Sequence, residues 1–369
     1  MKKIAIITTG LSKVLGSEKC GGGEVLLKNL IFELMNMPDI SLYVYSPASN
    51  VLSEDIKNNY PKIHFENYNN SPFSFSYIDE LKEKFKKENF DKIINYNMVL
   101  PYKTTMLQSH SYLHKLNKAF ILFRPLKKYL IRHKITIQKR AFERASTDTD
   151  YIAVSDAIKQ DYSKNFNIPS EKIKVIHPGV SVSSIKEISK RDDITFGIVA
   201  NSSINKGGHY LLTALGILNF LRRNFNLLII APKFKKDILM QIIISIFNLS
   251  KKTEALPFQN NMNKFYEKID VLVLPSLNEA FGLVVLEAME KAKPCIVSST
   301  AGSAEIINNK NGVVFNRKSF LDFIKKLDNI ISLYNKNFDN YKKMSDEARK
   351  TAEHFSWHKF TEKVIETND

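Results

Sequence analysis

Cysteine is nearly absent from this chain of 369 residues, in which only Cys20 and Cys295 occur. Two cysteines exclude a disulfide framework and a cysteine-rich zinc site, and this composition is typical of the reducing cytoplasm. Long apolar runs are also absent: no stretch of about eighteen apolar residues occurs, which excludes a membrane-spanning helix. The opening MKKIAIITTGL has a short apolar part interrupted by threonine and no small-residue cleavage site. It therefore predicts a first buried strand and not a signal peptide.

Acidic residues are in short supply, with 38 Asp and Glu against 54 Lys and Arg. The resulting net charge of +16 indicates an anionic partner or surface. The zinc-finger spacing, the RNA-binding aromatic motif and the basic zipper that accompany specific nucleic-acid recognition are all missing. We therefore expect no nucleic-acid partner.

The basic residues concentrate in the segment 115–144, which holds ten Lys or Arg and one acid, Glu143. Apolar residues are interleaved with them, including the run FILF at 120–123. One interpretation is a basic amphipathic helix that lies on an anionic membrane surface, which predicts a cytoplasmic protein at the inner face of the cytoplasmic membrane. The other interpretation is a long surface helix whose apolar face packs on its own domain.

Short β-branched runs alternate with helical patterns along the chain, which is typical of parallel α/β structure. A polar, serine-rich stretch at 178–193 separates two such halves. We predict two Rossmann-like domains, residues 1–182 and 183–350, that face each other across a cleft where an active site is expected. The predicted strands are 4–8, 42–45, 92–95, 104–107, 152–155 and 174–177, and then 195–199, 227–231, 271–274, 295–298 and 313–315.

The most informative stretch is PSLNEAFGLVVLEAM at 275–289, which joins an apolar strand pattern to a helical one. Glu279 lies in the connecting loop, Gly282 opens the helical pattern, and Glu287 follows Glu279 by eight residues. Such loops lie at the carboxyl edge of an α/β sheet, and a helix N-terminus there attracts an anion such as phosphate. Carboxylates beside an anion need hydroxyl partners, so the predicted ligand is phosphorylated and rich in hydroxyls, as a sugar nucleotide is. The alternative is that both glutamates are solvated residues of a helix face.

The same stretch resembles the E-x7-E signature of glycosyltransferase family four, whose members are retaining enzymes of the GT-B fold. The resemblance implies that Glu287 accepts hydrogen bonds from the ribose of a nucleotide-diphosphate sugar and that Glu279 contacts the donor sugar. It also implies that the sugar and diphosphate meet the backbone N–H groups of Ala280, Phe281, Gly282 and Leu283. For residues 351–369 it implies a C-terminal helix that crosses back to the first domain. We interpret Trp357 in this segment as a packing residue, with a stacking platform as the alternative.

Gly22 and Gly23 follow the first strand pattern and precede a helical one. Glycines at such a turn let the backbone approach a phosphate closely, although a flexible turn is the alternative interpretation. Family four commonly carries G-G-x-E at this place. The resemblance therefore makes Gly22 and Gly23 the predicted contacts to the donor diphosphate and the acceptor.

Lys206 follows a strand and a polar loop, and the motif K-G-G leads into a helix. Its ammonium is placed to neutralise charge that grows on a leaving diphosphate. The family pattern usually has a G-R pair several residues earlier, whereas Ala200 and Asn201 occupy those places here. Two residues are candidates to replace the missing arginine: Asn201, through a hydrogen bond to a phosphate oxygen, and Lys233, through its charge.

His110 follows a strand pattern, and in similar enzymes a first-domain histidine lies near the reacting sugar. We predict that His110 hydrogen-bonds a donor hydroxyl or assists the acceptor. His114, four residues on, suggests metal binding, but no acidic or third ligand is near in sequence. Family members generally need no divalent metal, so we expect no metal and no cofactor beyond the sugar nucleotide. The resemblance also places Phe258, in Leu-Pro-Phe, beside the nucleotide base.

The resemblance thus implies a retaining, hexosyl-type glycosyltransferase of the EC 2.4 class, with Glu279, Lys206 and His110 as catalytic residues. Its implied acceptor is a hydroxyl group, such as that of a lipid-linked saccharide, a lipopolysaccharide or another intermediate of cell-surface polysaccharide biosynthesis. Two alternatives stay open. One is a non-catalytic, two-lobed protein that binds a phosphosugar, and the other is an inactive GT-B protein that serves as a membrane adaptor.

Overall fold

The computed structural model describes residues 1–16, 21–50, 52–69, 76–96, 101–117, 124–145, 148–185, 187–200, 204–232, 234–259 and 261–367. Two compact units make up the chain: unit 1 comprises Met1–Pro178 and Trp357–Asp369, and unit 2 comprises Gly179–Ser356. The sequence placed the corresponding boundaries at 182 and 350. Val180 and Ser356 form a parallel bridge, and the Val180 N–H donates to the Phe355 carbonyl over 2.7 Å. The two segments that lead out of unit 2 therefore run side by side.

Unit 1 contains a parallel sheet with the strand order β3-β2-β1-β4-β5-β6-β7. Its described strands are β1 (Lys2–Ile7), β2 (Ile40–Pro47), β3 (Ile63–Tyr68), β4 (Lys92–Asn95), β5 (Thr104–Leu107), β6 (Asp150–Ala153) and β7 (Ile173–Val175). Its described helices are α1 (Leu11–Gly16), α2 (Gly22–Asn36), α3 (Glu54–Asn58), α4 (Ser76–Lys86), α5 (Tyr112–Asn117), α6 (Arg124–Glu143), α7 (Asp156–Phe166) and α14 (Trp357–Ile365). The apolar residues 4–7 of β1 are fully buried, as expected for a central parallel strand.

Unit 2 contains a second parallel sheet, with the strand order β10-β9-β8-β11-β12-β13. Its described strands are β8 (Thr195–Val199), β9 (Asn226–Ile230), β10 (Thr253–Leu256), β11 (Val271–Leu274), β12 (Cys295–Ser298) and β13 (Gly312–Phe315). Its described helices are α8 (Gly208–Phe220), α9 (Ile238–Ile246), α10 (Asn263–Lys268), α11 (Leu283–Glu290), α12 (Phe320–Lys336) and α13 (Phe338–Glu353). The two sheets confirm the predicted fold of two parallel α/β domains, because every described pairing is parallel.

The C-terminal helix α14 belongs to unit 1, as predicted. It packs against α2, and Trp357 and Phe360 are 6% and 2% exposed. Their rings meet edge to face, with centroids 5.8 Å apart. The only tryptophan is therefore a packing residue, because its ring lies in the core of unit 1.

Helix α6 covers most of the basic segment, of which residues 118–123 lie outside the described ranges. Near its end Ala141 and Phe142 are buried, and the Phe142 ring stacks on Phe166 at 4.4 Å. Arg132 and Lys134 are exposed. The C-terminal part of α6 therefore packs on its own unit and presents its cations to solvent. Among the described helices, none has the length and apolar character needed to cross a membrane.

Candidate active site

Three loops meet at the carboxyl edge of the sheet in unit 2. They follow β8, β11 and β12, which are neighbours in that sheet. The first loop carries Lys206, the second carries Glu279, and the third spans 299–303. Backbone hydrogen bonds join them: the Leu277 N–H donates to the Asn205 carbonyl over 2.9 Å, and the Gly302 N–H donates to the Glu279 carbonyl over 3.0 Å. The loops thus form one connected rim.

Gly207 lets the first loop lie directly on the second. It precedes α8 with a φ of 74°, in the left-handed region where a side chain is strained. A Cβ atom at this position would lie 2.2 Å from the Pro275 carbonyl oxygen, which is too close for any real contact. A glycine is therefore required where the K-G-G turn meets the segment after β11.

Lys206 and Glu279 are brought together by this junction. The Lys206 ammonium donates a hydrogen bond of 2.5 Å to Oε2 of Glu279. Their side chains are 33% and 18% exposed, so both are reachable from solvent. A cation and a carboxylate thus lie side by side at one rim, and charged groups of these two kinds form strong hydrogen bonds.

Gly282 shapes the turn from the second loop into α11. Its φ of 98° lies in the left-handed region, and a Cβ there would be 2.7 Å from Cδ2 of Leu274. The same Cβ would lie 3.3 Å from Cγ of Glu279. Gly282 thus allows Glu279 to lie against the start of α11, because any larger residue would push the two apart.

Ala280 and Phe281 complete the loop, and Leu283 is the first residue of α11. The Phe281 side chain is 3% exposed, and the Phe281 carbonyl accepts a hydrogen bond of 2.8 Å from the Ser303 N–H. Because its side chain is buried, Phe281 can contact a ligand through its backbone only. The backbone contact that the resemblance implies for Phe281 stays a prediction.

Glu287 lies on α11 and has a partner that the sequence did not reveal. The Tyr266 hydroxyl, on α10, donates a hydrogen bond of 2.6 Å to Oε2 of Glu287. Burial raises the pKa of Glu287 above its ordinary value of 4.5, and the charge of Glu290 raises it further, while the Tyr266 hydrogen bond partly offsets both. Tyr266 is 2% exposed, so Glu287 is held from the core side.

Glu290, one turn further along α11, is a structural carboxylate. Its Oε1 accepts hydrogen bonds from Arg349 over 2.9 Å and from the Ser183 N–H over 2.8 Å. The Lys291 ammonium lies 3.2 Å from its other oxygen. These cations and donors occupy the carboxylate oxygens of Glu290. The two carboxylates of this helix and loop that are placed to meet a ligand are therefore those of Glu279 and Glu287.

Three further predicted positions remain to be described. Phe258 follows the edge strand β10, two strands away from β8, and is half-buried. Its predicted contact with the nucleotide base stays a prediction. Asn201 and Lys233, the two candidates for the missing arginine, lie outside the described residues.

Gly22 and Gly23 are the first two residues of α2 in unit 1. The Tyr96 hydroxyl donates a hydrogen bond of 2.6 Å to the Gly23 carbonyl. A Cβ on Gly23 would lie 2.7 Å from Oε1 of Gln108, which follows β5. The glycine turn therefore lies over the ends of β4 and β5, and a side chain at Gly23 would require the Gln108 side chain to shift.

His110 lies beside the same edge and is anchored by a buried carboxylate. Its Nδ1 is 3.1 Å from Oδ2 of Asp161, whose side chain is fully buried. Burial alone would raise the pKa of Asp161, but hydrogen bonds from His110 and from the N–H and hydroxyl of Ser111 hold that pKa below its ordinary value. Since an ionised carboxylate only accepts, His110 donates its Nδ1–H to Asp161. Within the described residues, Nε2 of His110 is buried without a hydrogen-bond partner.

The fold brings a third potential ligand, distant in sequence, close to the two histidines. Ligand atoms of His110, His114 and Asp161 lie within 4.8 Å of one another. Asp161 is 51 residues from His110, so spacing along the chain could not reveal it. However, Asp161 already accepts hydrogen bonds from Ser111 N–H, Ser111 hydroxyl, Asn165 and His110. A carboxylate has about four lone-pair sites, so this geometry favours a hydrogen-bonded hub over a metal site.

Comparison with known families gives two adjoining matches. Residues 20–184 match the family model described as Glycosyltransferase Family 4. Residues 183–351 match the family model described as Glycosyl transferases group 1. Together the two models span residues 20–351, and the second includes the whole rim around Lys206 and Glu279.

Individual relatives support the same family. Over 234 residues the chain is 29% identical to an uncharacterized glycosyltransferase of Methanocaldococcus jannaschii, a stretch that covers 58% of each protein. Over 207 residues it is 28% identical to the O-antigen chain mannosyltransferase RfbU of Salmonella typhimurium, which covers 52% of this chain and 57% of that protein. The chain thus spans a little over half the length of these relatives.

A solved structure shares the fold over the full length. WaaG, a glycosyltransferase involved in lipopolysaccharide biosynthesis, superposes with a TM-score of 0.72 at 16% identity. The match covers 99% of this chain and 100% of that one.

Proposed function

Because the chain belongs to glycosyltransferase family four and has the GT-B fold, we propose that it transfers a sugar from a nucleotide-diphosphate sugar to a hydroxyl acceptor with retention at the anomeric carbon. The observation that carries this proposal is the hydrogen bond of 2.5 Å between Lys206 and Glu279 at the rim of unit 2. This hydrogen bond joins the cation that we propose binds the diphosphate to the carboxylate that we propose binds sugar hydroxyls. Both residues lie on loops of the kind where α/β sheets bind ligands.

The proposed reaction breaks the bond between the anomeric carbon and the diphosphate oxygen and forms a bond to the acceptor oxygen on the same face. The departing phosphate oxygen takes the acceptor's proton. Lys206 stabilises the negative charge that develops on that phosphate, which is the electrostatic contribution expected of a fixed cation. Glu279 orients the donor sugar through its hydroxyls, and Glu287 holds the ribose.

His110 contributes a hydrogen-bond acceptor in this proposal. Because Nδ1–H is directed at Asp161, Nε2 carries a lone pair and accepts a hydrogen bond from a hydroxyl of a sugar substrate. Gly22 and Gly23 present their backbone N–H groups at the start of α2, because a helix N-terminus favours an anionic group such as the diphosphate. The chain thus positions its substrates and stabilises charge, and it needs no protein nucleophile.

The proposed substrates are a hexosyl donor and a saccharide acceptor carried on a lipid or on a lipopolysaccharide intermediate. The Salmonella relative is described as acting on the O-antigen chain, and WaaG is involved in lipopolysaccharide biosynthesis. We propose that the reaction needs no metal, because Asp161 uses its lone pairs on hydrogen-bond donors. A chelator should leave turnover unchanged, and loss of turnover that is restored by a divalent cation would contradict this.

We also propose that the segment 115–144 touches an anionic membrane at the inner face of the cytoplasmic membrane. The exposed cations of α6, such as Arg132 and Lys134, support this part of the proposal. Replacing Lys127, Lys128 and Arg132 with glutamine should weaken salt-sensitive flotation with anionic vesicles. Equal flotation of the wild type and this variant would contradict the contact.

Turnover of nucleotide sugars tests the central proposal. A panel of nucleotide sugars is first screened for a rise in melting temperature, since a bound ligand stabilises by mass action. The stabilising donor is then incubated with crude lipid acceptors, and Glu279→Ala should abolish the release of nucleoside diphosphate. Stabilisation without turnover in the wild type would favour the phosphosugar-binding alternative, and unchanged turnover in Glu279→Ala would refute the site.

A further inference from the structure

Helix α9 in unit 2 presents a row of large aliphatic side chains to solvent. Ile238, Leu239, Ile242 and Ile246 are 74%, 51%, 46% and 64% exposed. Ile238, Ile242 and Ile246 are spaced four residues apart, so they lie on one helix face. The opposite face, with Met240 fully buried, is the one that packs on the core of unit 2. The outer apolar face therefore contributes nothing to the core, and its exposure needs another explanation.

The apolar row continues onto the neighbouring helix. Phe220 and Leu221, at the end of α8, are 69% and 63% exposed. The Phe220 ring lies 5.6 Å from the ring of Phe247, which directly follows α9. We call the exposed residues Phe220, Leu221, Ile238, Leu239, Ile242 and Ile246 the α9 surface.

Lysine and arginine predominate in the chain segment that carries the α9 surface, although Arg223 is paired with Asp328 of α12. The segment 220–252 contains seven Lys or Arg and a single acid, Asp237. Asp237 is engaged at the start of α9, where its carboxylate accepts a hydrogen bond of 3.1 Å from the Met240 N–H. Lys235 and Lys236, just before the helix, are both exposed. The partner of this surface must therefore be apolar beside a layer of negative charge.

We propose that the α9 surface docks on an anionic lipid bilayer, with α9 in the interface and the flanking lysines at the phosphates. An apolar helix face bordered by Lys and Arg is the pattern of an interfacial helix. A second copy of this chain fits less well, because it would bring the same cations face to face. The proposal concerns unit 2 and is independent of both the transfer reaction and the segment 115–144 of unit 1.

Vesicle binding of the full chain tests the α9 surface. The probes are phosphatidylcholine vesicles with and without phosphatidylglycerol, assayed by flotation at low and high salt. The double variant Ile242→Glu, Ile246→Glu should bind the anionic vesicles at least about tenfold more weakly. It loses two aliphatic side chains that the bilayer would bury. The affinity of the variant Lys235→Gln, Lys236→Gln for the anionic vesicles at low salt should be lower by about fivefold or more.

Leu321→Glu is the matched control, because Leu321 is an equally exposed apolar residue (70%) on α12 of the same unit. It should bind vesicles like the wild type. An unchanged melting temperature shows that each variant is folded, as expected for substitutions at exposed positions. Equal vesicle binding by the wild type and the α9 double variant would overturn the proposal. It would also be overturned if that variant abolished self-association or capture of a protein partner while vesicle binding stayed the same.

Discussion

The Lys206 ammonium lies 2.5 Å from Oε2 of Glu279, although 73 positions separate the two residues in the chain. Each group satisfies the other, so in the proposed donor complex the diphosphate competes with Glu279 for the lysine. We expect donor binding to free the carboxylate for hydrogen bonds from sugar hydroxyls. The pair couples the two parts of the proposed donor contact, and this coupling can be measured.

Removing Lys206 should reduce catalysis more than donor binding. We expect Lys206→Ala to lower kcat by about a hundredfold or more, the usual cost of losing one charge-stabilising group in a transition state. Steady-state kinetics of Lys206→Ala, Glu279→Gln and the double variant would show whether the losses are less than additive. Lys325→Ala, which changes an exposed lysine of α12, should leave kcat as in the wild type. Fully additive losses would contradict the coupling of Lys206 and Glu279.

Donor binding should weaken in acid at a higher pH than for an ordinary glutamate. In the proposed donor complex Glu287 must be ionised to accept hydrogen bonds from two ribose hydroxyls, and burial raises its pKa above 4.5. Donor affinity is therefore complete above this raised pKa and is lost as the pH falls through it. Tyr266→Phe removes a hydrogen bond that lowers the pKa, so the acid limb of the profile of kcat/KM should move to higher pH.

Tyr341→Phe is the control for this shift. Its hydroxyl donates to the Asp270 carbonyl over 2.8 Å, so the variant also loses a buried hydrogen bond but leaves Glu287 unchanged. We expect lower stability and the wild-type pH profile. An identical acid limb in all three proteins would show that Glu287 does not control donor binding.

The Asp161 carboxylate should set the tautomer of His110. In Asp161→Asn the side-chain amide can donate to Nδ1, which moves the ring proton to Nε2 and removes the proposed acceptor. We expect kcat to fall by about ten- to a hundredfold, the cost of losing one strong hydrogen bond. Nitrogen chemical shifts of the His110 ring should report the change of tautomer. Ser111→Ala, which removes one other buried donor to Asp161, should retain the wild-type tautomer; the same shift in both variants would contradict the role of Asp161.

Gly207 should not tolerate a side chain. Gly207→Ala adds strain at a φ of 74° and a Cβ 2.2 Å from the Pro275 oxygen. We expect the free energy of unfolding to fall by about 1–3 kcal/mol, seen as a lower melting temperature. Gly10→Ala is the control, because a Cβ there meets no atom within 4 Å. A melting temperature of Gly207→Ala equal to that of Gly10→Ala would show that the K-G-G turn can relax.

The strands that sequence patterns missed are the edge strands β3 and β10. In β3, IHFENY, two of six residues are buried, and no residue of β10, TEAL, is buried. An edge strand has one neighbour and more solvent, so its sequence carries little apolar signal. Most residues of the other described strands, taken together, are buried, and the predicted ranges agree with these strands to within two residues at each end.

The partners of the site residues were missed for a different reason. Tyr266 is 21 residues from Glu287 and Asp161 is 51 residues from His110. The residues next to a tyrosine or an aspartate on a helix do not indicate that its side chain makes such a contact. Only the packing of α10 on α11, and of α7 beside the His110 turn, gives these side chains their roles.

The sequence by itself determined the α/β class, the two halves and the family, because strand and helix periodicity and the E-x7-E pattern are properties of consecutive residues. It also indicated Glu279, Glu287, Lys206 and His110. Tertiary structure alone decided which groups touch: Lys206 with Glu279, Tyr266 with Glu287, and Asp161 with His110. It also decided that one apolar face of α9 is left in solvent. These contacts join residues distant in the chain, and their energies depend on geometry and burial that no local pattern encodes.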